Sequence, residues 1–417
     1  MLTTTKLYDI FHIVNGEHSD PHTVLGMHEM EEDGRKAVVV RAFLPNAAGI
    51  TVIDYANKRK KYPMERLHAD GFFEVTIADR EEWFRYQLEY TDADGNTWRS
   101  YDPYSFSPTL SEFDRHLFGA GTHYEIYEKM EQKLYAECAR MGEKIPYWTV
   151  GGVYEEDYAK KDIYWWTNGF WSGILWQLYH ATKNELYLET ARKNEDLLDQ
   201  ALHGFIGLHH DTGFMWLHSA VADYRLTGSE EAKVRGLNAA SVLAGRYNPN
   251  GKFIRAWNPE CVEEGEDCTG WIIVDSMMNI PLLYWAGQIT GDPRFQQIAV
   301  NHADTVASYL VREDGSCGHI ACINPDTGEL EHILGGQGYS ETSSWSRGQS
   351  WILYGFALSY RHTKNKKYLD IAKKTAHYFI SNIALTGYIP LCDFRQPASA
   401  AYTDTSAGLC AACGLLE

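Results

Sequence analysis

The chain has 417 residues, enough for two domains, since single hydrophobic cores rarely grow beyond about 250–300 residues. Its formal net charge of −18 excludes a nucleic-acid partner, whose phosphates such a surface repels, but admits a small anionic substrate held by one local cation. Hydrophobic residues at 44% and charged residues at 23% fit a soluble globular protein, and no run reaches the roughly 18 apolar residues that a membrane span needs.

The N-terminus, MLTTTKLYDIFHIVNGEHSD, has no basic start followed by a long apolar run, so no signal peptide is read. The eight cysteines form no paired zinc-ligand blocks, and Cys410-x-x-Cys413 lies in what reads as an apolar helix. The expectation is a reduced, cytoplasmic protein without cofactor or metal. The 13 Trp and 27 Tyr suit sugar stacking, and equally suit large helical cores.

The first 129 residues alternate short β-rich runs with turn signals. Val38–Leu44, Ile50–Ile53, Phe72–Ile77 and Phe84–Tyr90 show period-two patterning, broken at Asn46, Asp70-Gly71 and Asp94-Gly95-Asn96. This predicts an antiparallel β-sandwich of about 100 residues.

From Met130 the pattern lengthens into helices that carry a repeat. Four segments share a Thr, a small residue nine positions on and, in three of them, an apolar or aromatic residue five positions on. They are Thr182/Tyr187/Ala191, Thr227/Ala232/Gly236, Thr290/Phe295/Ala299 and Thr363/Tyr368/Ala372. Each Thr stands in a short polar turn between amphipathic stretches, which predicts recurring αα-hairpins. Uneven spacing points to a barrel with long loops on one end. About ten helices are expected, the tenth starting near Thr403.

Residues 18–129 resemble the N-terminal β-sandwich of bacterial glycogen branching enzymes, a carbohydrate-binding module of family 48 type. The resemblance rests on Asp20–His28, Val40–Ala47, Asp102–Phe106 and Phe113–His123. It stops before any catalytic barrel, so none of that enzyme's catalytic residues is carried over. It implies contact with α-glucan, for which Trp83 and Trp98 are candidate stacking surfaces, with core or strand-edge packing the competing reading for each.

In the second part, five blocks occur in order: Asn168–Gly173, His209–Phe214, Ile273–Leu283, Gly318-His319 ahead of Asp326-Thr327-Gly328, and Gln337–Ser340 leading into Trp345–Trp351. Each puts an acidic, basic or aromatic residue before or at the start of an apolar helix. Asp275 is a carboxylate in an apolar run, where burial raises a pKa toward that of a general acid. A capping or hydrogen-bonded Asp is the competing reading. His209-His210-Asp211 is not read as a metal site, because adjacent side chains diverge on most backbones.

Together these blocks resemble glycoside hydrolase family 88, the unsaturated glucuronyl hydrolases, over residues 130–417. The resemblance implies an (α/α)₆ barrel with its site at the loop-rich mouth. The implied chemistry is protonation of a C4=C5 enol ether in an unsaturated uronyl oligosaccharide, with water adding at C5. It makes Asp275 the acid/base and gives Asp211 the ring hydroxyls. Arg347 would pair with the uronate, Trp171, Trp345 and Trp351 would stack on the sugar, and His210, His319 and Gln337 would make polar contacts. Core packing rivals stacking for each Trp, and a structural salt bridge rivals the role of Arg347. Twelve helices are expected of a closed ring, so the last two lack counterparts here. The alternatives are an unsaturated rhamnogalacturonyl hydrolase and an inactive glucan-binding fusion.

Overall fold

The computed structural model describes residues 4–18, 20–32, 35–105, 124–151, 153–397 and 402–417. The chain divides into two compact units, Met1–His123 and Tyr124–Glu417.

The first unit opens with helix α1 (Leu7–Val14), then eight strands: β1 (Gly26–Glu32), β2 (Arg35–Phe43), β3 (Gly49–Asp54), β4 (Lys61–Pro63), β5 (Glu65–His68), β6 (Phe72–Ile77), β7 (Tyr86–Thr91) and β8 (Thr97–Ser100). They form two antiparallel four-stranded sheets, ordered β1-β2-β6-β5 and β4-β3-β7-β8. Val38, Val40, Ala42 and Phe73 of one sheet share a core with Ile50, Val52, Tyr86 and Leu88 of the other, as the alternating pattern requires. On the back of the first sheet, Ile10 and Ile13 of α1 pack against Phe43 and Phe72. Arg41 and Glu74 face each other across β2 and β6, and their 2.8 Å ion pair also takes the Thr5 hydroxyl. All four expected strands are found within three residues of their expected ends, the last starting at Tyr86 rather than Phe84. Phe106 and the motif Phe113–His123 lie outside the described residues.

The second unit begins with α2 (Tyr124–Met141), a helix that runs through residue 130 unbroken. After a short turn of helix, α3 (Tyr158–Lys161), come α4 (Asn168–Thr182), α5 (Glu185–Gly204), α6 (Thr212–His218), α7 (Ala220–Thr227) and α8 (Glu230–Gly245). Then follow α9 (Ser276–Asn279), α10 (Pro281–Thr290), α11 (Pro293–Tyr309), α12 (Ser346–Thr363), α13 (Lys366–Ile383) and α14 (Thr405–Leu416). Neighbouring inner helices touch in series, α4 with α6, α6 with α9, α9 with α12 and α12 with α14, while α2, α5, α8, α11 and α13 lie outside them. Two inner helices are divided. Pro281, which has no N–H to give, separates α9 from α10, and Ser219 separates α6 from α7.

The repeated Thr has a common role. Thr182, Thr227, Thr290 and Thr363 each end an inner helix by donating the hydroxyl to the carbonyl four residues back. Each hydroxyl oxygen also accepts the N–H two residues on, at Asn184, Ser229, Asp292 and Asn365. Those four residues then cap the next outer helix with their own side chains. Between each pair the chain passes through a left-handed residue, Lys183, Gly228, Gly291 or Lys364. The residues five positions on are buried against the inner helices, as are Ala191, Ala299 and Ala372 at nine.

At the opposite end, the long loops hold small sheets that the pattern did not reveal. Strands β9 (Tyr247–Asn248) and β10 (Phe253–Ile254) pair, and β11 (Trp271–Ile273), β12 (Ile320–Ile323) and β13 (Leu330–Leu334) form a three-stranded antiparallel sheet. The apolar run before Asp275, expected to lead into a helix, is therefore strand up to Ile273. Among the described residues, no helix is long and apolar enough to cross a membrane.

Candidate active site

Asp211 and Asp275 occupy equivalent positions, immediately before α6 and α9, and neither carboxylate caps its own helix. Gly213 lets these two helix starts meet: a Cβ there would lie 2.4 Å from the Asn279 Cα. Asn279, fully enclosed, joins them. Its Nδ2 donates to Asp211 Oδ1 at 3.1 Å and to the Asp275 carbonyl at 3.2 Å, while its Oδ1 accepts the Phe214 N–H at 2.6 Å.

The segment carrying Asp211 is held from below by Arg246. This guanidinium donates to the carbonyls of Leu208, Arg255, Ala256 and Trp257 and to Asn258 Oδ1. The His210 N–H in turn donates to the Ala256 carbonyl at 3.1 Å. Burial, then the neighbouring Arg255, lowers the Arg246 pKa to about 10.

The β11–β12 pairing sets His319 beside Asp275, because Ile273 faces Ile320 and the Val274 N–H donates to the His319 carbonyl at 3.0 Å. His319 Nδ1 accepts the Gln337 N–H at 3.0 Å, which leaves the neutral ring's proton on Nε2, 3.6 Å from Asp275 Oδ1. Only glycine fits at residue 336, where φ is +55° and a Cβ would strike the His319 ring. The Trp345 indole meets the His319 ring edge-on with centroids 4.6 Å apart.

The two carboxyls differ in what they touch. Asp211 is the bonded one: Asn279 donates to Oδ1, His210 Nε2 stands 3.4 Å from that oxygen, and His209 Nδ1, which accepts the Asp211 N–H, lies 3.5 Å from Oδ2. Burial first, and the Asp275 charge second, raise its pKa well above the ordinary carboxylate range. Burial pushes His209 down to about 4 and holds His210 far below its usual value, so both are neutral near pH 7. Asp275 keeps Oδ1 buried with no hydrogen-bond partner among the described residues, and its side chain is 19% exposed. His319 Nε2 and the indole N–H groups of Trp171 and Trp351 are likewise buried without a partner.

Trp171, Arg347 and Trp351 line one cavity of about 310 Å³, joined by Tyr147, Tyr154, Trp166 and Phe170. Arg347 is engaged within the protein, donating from Nη1 to Asp404 Oδ2 at 2.9 Å and from Nη2 to Gln337 Oε1 at 3.2 Å, over the Trp345 ring. His209, His210 and Asp211 do not diverge as expected: their ligating atoms all lie within 4.8 Å of one another. Asp211 Oδ1 already takes the Asn279 amide there. Sequence reasoning missed Asn279 and Arg246. Asn279 was visible as a lone amide in an apolar run, four residues after Asp275 and hence on the same helical face. Arg246 gave no signal.

A wall of helical hairpins, with two carboxyls at adjoining inner-helix starts, is the arrangement of an (α/α)-barrel. The sequence signature of Glycosyl Hydrolase Family 88 matches residues 143–383, and the chain belongs to that family. It is 38% identical over 282 residues to an unsaturated glucuronyl hydrolase from Bacillus sp. (strain GL1), covering 67% of this chain and 72% of that protein. A mutant unsaturated glucuronyl hydrolase from Streptococcus agalactiae, complexed with dGlcA-GalNAc6S, superposes with a TM-score of 0.58 at 31% identity, over 74% of this chain and 73% of that one. Residues 6–104 match the N-terminal domain of the alpha-1,4-glucan branching enzyme GlgB. The Nostoc sp. (strain PCC 7120 / SAG 25.82 / UTEX 2576) branching enzyme is 42% identical over 130 residues, which are 31% of this chain and 17% of that enzyme.

Proposed function

We propose that the helical unit removes a terminal unsaturated uronyl residue from an oligosaccharide by hydrating its C4=C5 enol ether. The observation that carries this is the contrast between a filled carboxyl, Asp211, and an open one, Asp275. Asp275 delivers a proton to C4, and positive character develops at C5 and the ring oxygen. Water adds at C5 and returns a proton to Asp275, and the resulting hemiketal opens and expels the leaving sugar. Asp211, with its raised pKa, and His210 hold ring hydroxyls. His319 stands next to the acid, and Trp171, Trp345 and Trp351 wall the sugar. Arg347 meets the uronate carboxylate with donors not taken by Asp404, while Gln337 steadies it. Relatives that act on unsaturated glucuronyl sugars support this substrate class.

The test incubates the full chain with an unsaturated glucuronyl disaccharide and an unsaturated rhamnogalacturonyl disaccharide, following loss of absorbance of the conjugated double bond. The expected outcome is turnover of the first in preference to the second. Absence of turnover on both sinks the proposal. We propose further that residues 1–129 and 130–417 act as separate domains, the first contacting α-glucan through Trp83 and Trp98. Both indoles are about half exposed, and Trp98 stacks on Tyr90. Retention on immobilised glycogen, lost in Trp98→Ala, tests that role; equal retention of the variant counts against it.

A further inference from the structure

His302 lies on α11, and its imidazole is fully enclosed. Nδ1 accepts the Ile254 N–H from β10 at 2.9 Å, so in the neutral ring the proton is on Nε2. Nε2–H donates to Ser276 Oγ at 2.5 Å, and that hydroxyl donates to the Ile273 carbonyl at 2.6 Å. Ile273 ends β11 and Ser276 begins α9, with Asp275 between them. One chain of hydrogen bonds therefore ties both sides of this strand-to-helix corner to an outer helix. Burial lowers the His302 pKa to about 3, so the relay keeps its direction across the neutral range.

The Asp275 carboxyl has little else to orient it. Oδ1 has no hydrogen bond among the described residues, and His319 Nε2, its nearest described basic nitrogen, is 3.6 Å away. Its direction is inherited from its backbone, and the relay holds that backbone. We propose that His302 is a positioning residue for Asp275, its Nε2–H fixing through Ser276 the angle at which the carboxyl meets the substrate. The inference rests on the assignment of Asp275 as the acid.

The test compares steady-state turnover of an unsaturated disaccharide by the parent, His302→Leu, His302→Gln, Ser276→Ala and the His302→Leu/Ser276→Ala double variant, with Tm measured for each. In His302→Leu, kcat should fall by about 10–10²-fold while KM stays within about twofold, the pattern of a misdirected but still bound reacting group. His302→Gln, whose amide N–H reaches the Nε2 position, should recover most of the loss. The double variant should be no slower than the slower single one, because the two residues form one relay. An unchanged kcat in His302→Leu, whatever its Tm, overturns the proposal, as does a multiplicative double variant or a Gln variant as slow as Leu. Should His302→Leu fail to fold, Ser276→Ala keeps the ring, breaks the link and carries the same kcat criterion. Asp275→Asn is measured alongside. Parental turnover in that variant refutes the assignment of the acid, whatever the relay variants do.

Discussion

The two ends of the inner helices are built on opposite rules. At the turn end, Thr182, Thr227, Thr290 and Thr363 use both donor and acceptor, and the next cap takes the N–H groups that follow. At the mouth, Asp275 Oδ1, His319 Nε2 and two indole N–H groups are buried with no partner among the described residues. Buried polar groups are nearly always paired, and each one left open costs about 1–3 kcal/mol. The four Thr turns thus satisfy their own polar groups, whereas the open groups at the mouth cluster around Asp275 and His319, where a ligand could pair with them. The same contrast holds between the two carboxyls, Asp211 Oδ1 taking the Asn279 amide while Asp275 Oδ1 has no hydrogen-bond partner among the described residues.

The largest effect expected is at that open carboxyl. Asp275→Asn should lower turnover by about 10²–10⁴-fold, the usual contribution of a general acid, with Tm barely moved because Oδ1 makes no hydrogen bond to lose. Asp211→Asn should also be severe, but with a change in Tm, since that carboxyl is bonded. If the two variants lose stability equally, the distinction between filled and open carboxyls is wrong. Asn279→Ala comes next. It strips Asp211 Oδ1 of its amide and orphans the Phe214 N–H, which should cost about 1–3 kcal/mol in denaturant unfolding and slow turnover as well. Unfolding at the parent's midpoint would show that Asn279 is not the bridge.

Glu195 on α5 tests whether an open polar atom always means a ligand. Oε1 accepts the Trp176 indole N–H at 2.8 Å, but Oε2 is buried with no hydrogen-bond partner among the described residues, Arg235 Nη1 lying 3.8 Å away. Burial first, and the Asp223 charge second, raise its pKa to about 8, so near neutrality this carboxyl is mostly protonated. The folded state then holds a proton that the unfolded state gives up near 4.5. The resulting stability is full below about pH 4.5 and is lost as pH rises through about 8. Glu195→Gln should flatten the decline in Tm over that window; a decline as steep as the parent's would mean that Glu195 does not carry it.

How much of this was legible in the sequence follows from the range of each interaction. The hairpin repeat was visible because Thr, cap and buried aromatic lie within ten residues of one another and act through the local backbone. The strands of the first unit were visible because period-two alternation is also local. The motifs around Asp211 and Asp275 could be found, but not the closure between them, since Asn279 reaches Asp211 across 68 residues. The strand at Trp271–Ile273 was not foreseen because a short apolar run fits a buried strand as well as a helix. Arg347 was read as a partner for the substrate, yet Asp404, 57 residues on, had no visible connection to it. His302 reads as one polar residue in the apolar stripe of α11, and only the tertiary structure reveals that it reaches Ser276.

The smallest effect expected lies at the closed end, and it is the sharpest control. Thr290→Val keeps the shape of the side chain and removes a hydroxyl that donates to the Ala286 carbonyl at 2.7 Å and accepts the Asp292 N–H at 3.1 Å. The Asp292 N–H stands in a turn partly open to water and can be rehydrated, so the loss should stay near 0.5–1.5 kcal/mol, about the net worth of one hydrogen bond. Turnover should not change, because this turn lies at the far end of α10 from Asp275. The matching change at the mouth, Ser276→Ala, also removes one hydroxyl with two hydrogen bonds, but next to Asp275. The pair should therefore separate stability from activity: a larger shift in unfolding midpoint for Ser276→Ala, whose freed partners are buried, and kcat lowered only in that variant. Equal kcat in both would mean that the mouth is held no more critically than the turns, and the two-ended description of these helices would fail.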